Sequence, residues 1–241
     1  MTPQKVDICF IVAMRAEANG IIKELSLKED ETFASSYPAR AWKGKFNKKC
    51  IAVVINGQDN RHKLDLIGTQ AATLSTHLAI THYNPGLVIS AGTAGAFKEM
   101  GANIGDVFLS WPYVVYHDRR VEIPGWDEMG IGRYPVFDVR EMAQQLGLKT
   151  AIVTSGNSLD MPETDEKTIR KLNAGIKEME AAAVAWVCSL NRTPVFCIKS
   201  VTDLVDVDHP THQQFQTNLK MAVTNLCAET LKVLAFLTDK Q

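Results

Sequence analysis

No two cysteines in this sequence of 241 residues stand in a CxxC spacing, and the five present, Cys9, Cys50, Cys188, Cys197 and Cys227, are odd in number. Most lie in apolar surroundings. They read as reduced core thiols of a cytosolic protein, not as a disulfide frame or a zinc site. An excess of one charge is equally lacking: 26 basic and 27 acidic residues leave a net charge of −1, with no long block of either sign. That excludes an electrostatic case for nucleic acid or an anionic membrane as partner and leaves small molecules. Apolar runs such as 8–14 are far too short to span a bilayer, and residues 1–7 have neither the basic flank nor the cleavage site of a signal peptide. A cytoplasmic location is expected. His62, His77, His82, His209 and His212 show no ligand spacing with Cys or acids, so no metal is expected. Repeats and low-complexity linkers are also missing. With 46% hydrophobic residues, the chain is expected to fold as a single domain over 1–241.

What is present is an alternation of strand and helix patterns. Residues 6–12 are a nearly continuous apolar run suited to a buried strand, and 14–25 follow with helical spacing of Ala18, Ile21, Ile22 and Leu25. Residues 41–46 and 49–55 flank an Asn-Lys-Lys turn and read as a hairpin, with a helix over about 66–83 after a Gly-bearing loop. Strands follow at 87–91, 107–110, 150–154 and 195–201. Helices are expected at 166–174, over the Ala-rich run 181–190, and after Pro210 with Thr211 as N-cap. The stretch 111–135, rich in Pro, Gly and aromatics, reads as a long structured loop. The alternation predicts an α/β fold, a three-layer αβα sandwich around a mixed, mostly parallel central sheet.

Taken singly, the candidate site residues stay ambiguous. Glu180 and Asp203 stand at opposite edges of one helix-then-strand unit, and ligands bind at the carboxyl ends of strands in open α/β sheets. Asp203 reads equally as a turn residue bonding its own backbone. Glu17 falls in the first turn of a helix, where the dipole favours an acid in any protein. Glu178 and Glu180 would share a face of a strand, or be solvated acids at a helix start. Gly92-Thr93-Ala94-Gly95 lacks the phosphate-loop patterns and reads best as a tight turn of small residues. The His117-Asp118-Arg119-Arg120 cluster could form a buried ion network, a subunit contact or an anion site, and reads best as structure or interface. Cys188 and Cys197 read as core, not as nucleophiles.

Jointly and in order, these features resemble a family. The segments IVAMRAEA (11–18), VISAGTAGAF (88–97), GANIGDVFL (101–109), YHDRR (116–120), SGNSLD (155–160), KEMEAAAVA (177–185) and KSVTDLVD (199–206) are similar to those of 5′-methylthioadenosine/S-adenosylhomocysteine nucleosidases, in the nucleoside phosphorylase superfamily. The resemblance spans nearly the whole chain, and the HDRR, SLDM and KSVTDLVD wording is nearer to the plant-type branch.

That resemblance implies an N-glycosyl hydrolase of methylthioadenosine, and of S-adenosylhomocysteine to a degree left open, acting in methionine salvage without a cofactor. It implies that Glu17 orients or deprotonates the attacking water and that Asp203 protonates the imidazole ring of the leaving adenine. Met179 and Glu180 would hold the ribose and Thr93 would lie beside sugar and water. The main chain of Leu159 and Asp160 would read the adenine edge. Lys177 and Glu178 lie in the matching segment and join the binding set, with Lys199 where bacterial members commonly carry Arg. Related phosphorylases carry an Arg just before the small-Gly-Ser segment to grip phosphate; Ser90 stands here, so water is the expected nucleophile. The loop 121–124 would cross into a partner's alkylthio pocket, implying a homodimer. Gln58, in place of an apolar residue, would bias that pocket toward methylthioadenosine. The alternatives are a purine nucleoside phosphorylase-like enzyme and a nucleoside-binding or storage protein without turnover.

Overall fold

The computed structural model describes residues 5–33 and 36–239; residues 1–4, part of the stretch 1–7 that lacks a signal-peptide pattern, lie outside the described residues. The chain opens with β1 (Ile8–Val12), α1 (Arg15–Glu24), β2 (Lys28–Glu29) and the hairpin of β3 (Arg40–Phe46) and β4 (Lys49–Ile55). Next come α2 (Thr69–Tyr83), β5 (Leu87–Ala96), β6 (Val107–Tyr116), α3 (Trp126–Ile131), β7 (Tyr134–Pro135) and α4 (Arg140–Leu146). The last part holds β8 (Lys149–Ser155), α5 (Glu163–Lys171), β9 (Ile176–Glu178), α6 (Ala181–Asn191), β10 (Val195–Leu204) and α7 (Thr211–Asp239).

The sheet runs in the order β10-β6-β8-β9-β5-β1-β4-β3-β2, and β10 also pairs with β5, so one end closes on itself. Within it β4, β1, β5 and β10 run parallel, as do β6, β8 and β9, whereas β3–β4, β5–β9 and β6–β10 are antiparallel. Side chains alternate across this sheet with period 2. Cys9 and Ile11 of β1 join the core built with α2 and α6, while Ile8, Phe10 and Val12 join the core built with α1, α4 and α7. This is the expected three-layer α/β sandwich with a mixed sheet. The Ala-rich start of α6 lets it lie close: Ala181, Ala182, Ala183 and Ala185 are fully buried.

Several local expectations need correction. Gly92-Thr93-Ala94-Gly95 is not a turn; it continues β5 through to Ala96 with every residue buried. The expected loop 111–135 is half structured, because β6 runs on to Tyr116 and α3 follows. Pro112 is tolerated there because the ladder to β8 shifts register between Ser110 and Val114, where its missing N–H is not needed. The short α4, with only Met142 and Ala143 buried, has too narrow an apolar face to stand out in the sequence. Glu178 and Glu180 do not share a strand: Glu178 ends β9, and Glu180 caps α6.

Candidate active site

At the carboxyl ends of β1, β5 and β10 lies a cavity of about 180 Å³ whose wall includes Glu17, Thr93, Met179, Glu180 and Asp203. Each carboxylate arrives on a different element. Glu17 is carried on the first turn of α1 and turned inward, where its Oε1 accepts from the Thr93 N–H at 2.6 Å and the Thr93 hydroxyl at 2.8 Å. Its Oε2 accepts from the Met14 N–H at 3.1 Å. The residue is only 3% exposed, and burial raises its pKa above the usual carboxylate value, although Thr93 and the charge of Lys199 pull the other way.

Asp203 comes at a register shift in β10, between Val201 and Asp203, that re-aims the side chain. The Thr202 hydroxyl donates to its Oδ1 at 2.7 Å. Burial raises its pKa as well, against the opposing pull of Thr202 and Lys177. Two glycines make room for this pair of acids. A Cβ at Gly92 would stand 3.1 Å from the Glu17 Oε1, and one at Gly95 would stand 2.5 Å from the Asp203 Oδ2. Glycine inside a strand marks close approach, and here the approaching groups are the two carboxylates.

Glu180 takes the Gly68 N–H on its Oε1 at 2.7 Å. Loss of hydration first, then the charge of Glu178, push its pKa up to about 7. Behind it, Glu178 accepts from the backbone N–H groups of Glu180 and Ala181, from the Ser155 hydroxyl, and from the Lys199 ammonium at 2.8 Å. Burial alone would lower the Lys199 pKa; the surrounding Glu178 and Glu180 raise it on balance, so the ammonium stays charged. Lys177 is committed elsewhere, donating to the carbonyls of Ser158 at 2.8 Å and Leu159 at 3.0 Å.

The phosphorylase superfamily model matches residues 7–235, nearly the whole chain. The chain belongs to that superfamily. Two Arabidopsis thaliana relatives are its nucleosidases: a 5′-methylthioadenosine nucleosidase, 39% identical over 97% of this chain and 88% of the relative, and a 5′-methylthioadenosine/S-adenosylhomocysteine nucleosidase, 37% identical over 97% and 92%. The apo structure of an Arabidopsis thaliana 5′-methylthioadenosine nucleosidase superposes with a TM-score of 0.94 at 38% identity, covering 99% of this chain and 98% of the other.

Within this superfamily member, Glu17, Thr93, Leu159, Lys177, Glu178, Met179, Glu180 and Asp203 all border the cavity. Asp160 does not: it is exposed on the adjoining surface beside Ser158, Met161 and His212. Lys199 also stays off the wall, behind Glu178. Gln58 bonds Asp65 at 3.2 Å rather than facing the cavity, where Ile67 of the same loop stands instead. The residues missed by sequence reasoning include Met14, Ile67, Thr202, Val205 and Phe215. Phe215 reaches the wall from α7, where an aromatic at helical spacing looks the same in the sequence whether it lines a cavity or fills a core. The HDRR cluster forms an internal network: Arg120 pairs with Asp165, and Asp118 takes the Asn157 N–H at 2.8 Å. His117 is buried with its Nδ1 3.1 Å from the Thr154 hydroxyl, and burial holds its pKa down to about 4. Cys188 and Cys197 are buried core thiols, that of Cys197 pushed up to about 12 by burial.

Proposed function

We propose that this chain hydrolyses the N-glycosidic bond of 5′-methylthioadenosine, releasing adenine and 5-methylthioribose, with S-adenosylhomocysteine as a second thioether substrate. The observation that carries this reading is the convergence of Glu17, Glu180 and Asp203 on one cavity at the sheet's carboxyl edge. Cleavage passes through an oxocarbenium-like state, which calls for an acid at the leaving group, a base for the nucleophile and negative charge near the sugar. Asp203, with its raised pKa, delivers a proton to the imidazole ring of adenine as the bond from C1′ to the base nitrogen breaks and its electron pair goes to the base. Water adds its oxygen to C1′, and Glu17 takes the proton that water loses. Glu180 accepts from the ribose hydroxyls, and the carbonyls held by Lys177 edge the base site.

Hydrolysis, not phosphorolysis, is favoured by the cation inventory. Among the described residues lining the cavity, Lys177 is the sole cation, and both of its recorded bonds go to backbone carbonyls. Nothing there is free to grip phosphate. The reading includes methionine salvage as the setting, the cytoplasm as the compartment and a homodimer as the working form. The exposed Ile123, Trp126 and Met129, at 57%, 58% and 56%, support a partner seated beside the 121–124 loop.

The test is adenine release from methylthioadenosine in phosphate-free buffer, with S-adenosylhomocysteine run in parallel. Adenine is expected without phosphate. Release that starts only when phosphate is added overturns the hydrolase reading, and tight adenine binding without any release points to a binding protein. Sedimentation velocity checks the dimer.

A further inference from the structure

The strand that carries Asp203 keeps β5 on one edge but loses β6 from the other just before it reaches the cavity. On one edge, β10 pairs with β6 only at Ile198, Lys199 and Ser200. On the other, its register with β5 shifts between Val201 and Asp203. From Thr202 onward no strand among the described residues lies against the edge that faced β6, and unpaired buried backbone groups are expensive.

Side chains from α7 take the strand's place. Gln214 accepts the Leu204 N–H on its Oε1 at 3.1 Å and donates from its Nε2 to the Leu204 carbonyl at 3.1 Å. The same Nε2 donates to the His209 carbonyl at 2.9 Å. This reciprocal pair reproduces what a residue of a neighbouring strand would supply: one acceptor and one donor to the same residue. The amide orientation is fixed chemically, because only its oxygen can meet an N–H. One turn on, Asn218 donates from its Nδ2 to the Thr202 carbonyl at 2.9 Å. Gln214 is 5% exposed although it lies in the first turn of α7. Asp203 is thus flanked on both sides by residues whose backbone α7 holds, and the Thr202 hydroxyl bonds its carboxylate directly.

We propose that Gln214, seconded by Asn218, is a positioning residue for the leaving-group acid, a surrogate strand that fixes where Asp203 meets the base. This rests on the reading of Asp203 as that acid. Removing the amide leaves the sugar site and Glu17 untouched and lets the Thr202 to Leu204 backbone drift.

The experiment compares two substrates with the same sugar. Methylthioadenosine needs its leaving group protonated; p-nitrophenyl 5-methylthioriboside does not, because its C1–O bond breaks to release p-nitrophenolate as a stable anion. For Gln214→Ala, kcat on methylthioadenosine is expected to fall roughly 10- to 100-fold, as for a displaced general acid, with KM changed by less than about 3-fold. Its rate on the p-nitrophenyl riboside is expected to stay within about 2-fold of the parent. Equal loss on both substrates, or no loss on either, overturns the proposal. Circular dichroism reports folding, and if Gln214→Ala does not fold, Asn218→Ala, which removes a single bond, is read by the same pair of substrates. Failure of the acid reading itself looks different: Asp203→Asn would then lose as much on the p-nitrophenyl riboside as on the nucleoside.

Discussion

Thr93 gives both of its donors to one oxygen of Glu17, the backbone N–H at 2.6 Å and the hydroxyl at 2.8 Å. Both bonds favour the ionised carboxylate and oppose the rise that burial imposes. A base must be ionised to accept a proton, so Thr93 keeps Glu17 usable toward acid pH. Thr93→Ala removes the hydroxyl bond alone. Its Glu17 pKa is expected to rise further, moving the acid limb of the kcat/KM profile to higher pH. At neutral pH the loss is expected to be about tenfold, the size of one charge-assisted hydrogen bond of roughly 1.5 kcal/mol. An unmoved acid limb would show that another group sets it.

Asp203→Asn removes the proton donor and is expected to lower kcat by roughly 10²- to 10⁴-fold. Stability should move the other way. Burial raises the Asp203 pKa above its unfolded value, so the folded state binds this proton more tightly. That favours folding below the unfolded value of about 3.9, and the benefit is lost as pH rises through the folded pKa. At pH 8 the wild-type carboxylate therefore bears a desolvation penalty that the amide escapes. The Tm of Asp203→Asn is expected to exceed wild type at pH 8, with the gap closing toward pH 4. A lower Tm at pH 8 would sink this account.

The strand-helix alternation was legible because buried strands and amphipathic helices leave different periods, and the residues of β1, α1 and the β3–β4 hairpin carry both plainly. The Ala-rich run became α6, and the apolar run 195–201 became the body of β10. What did not show is whatever depends on a distant partner. β5 carries on through Gly92-Thr93-Ala94-Gly95 because β10 pairs alongside it and two carboxylates fill the space that side chains would take. No local pattern separates such a strand from a turn. Closure of the sheet by β10 onto β5 is likewise a long-range fact. The site residues legible in the sequence were those in the resembling segments. Thr202 and Phe215 reach the cavity through the bend of β10 and the packing of α7, which composition does not record.

Gly95 supplies a steric test of the acid's placement. An added Cβ would stand 2.5 Å from the Asp203 Oδ2 and 2.6 Å from the Val205 Cγ1, so Gly95→Ala must displace one or both. A shift on the order of 1 Å in a catalytic group lowers kcat by about 10²-fold. At Gly92 the nearest contact is 3.1 Å to the Glu17 Oε1, and Gly92→Ala is expected to be milder. Adenine-release kinetics on both variants rank them. A Gly95→Ala enzyme as active as the parent would mean that Asp203 does not work from this position.

Lys199 tests how the buried charges are shared. Its ammonium meets the Glu178 Oε2 at 2.8 Å, and both side chains are almost wholly out of water. Lys199→Met leaves Glu178 charged and without its cation, which is expected to cost about 3–5 kcal/mol in urea unfolding. The same change withdraws a charge that pulls the Glu180 pKa down from above its value of about 7. Glu180 would then be largely protonated near neutrality and lose an acceptor for the ribose hydroxyls. KM for methylthioadenosine is expected to rise at pH 7 and recover toward pH 9, where Glu180 ionises again. Adding Glu178→Gln to Lys199→Met removes the orphaned charge and the like-charge repulsion on Glu180 together. The double variant is therefore expected to regain both stability and the neutral-pH KM. Recovery of stability without recovery of KM would mean that Lys199 acts on the sugar site directly, not through the charge it shares with Glu178.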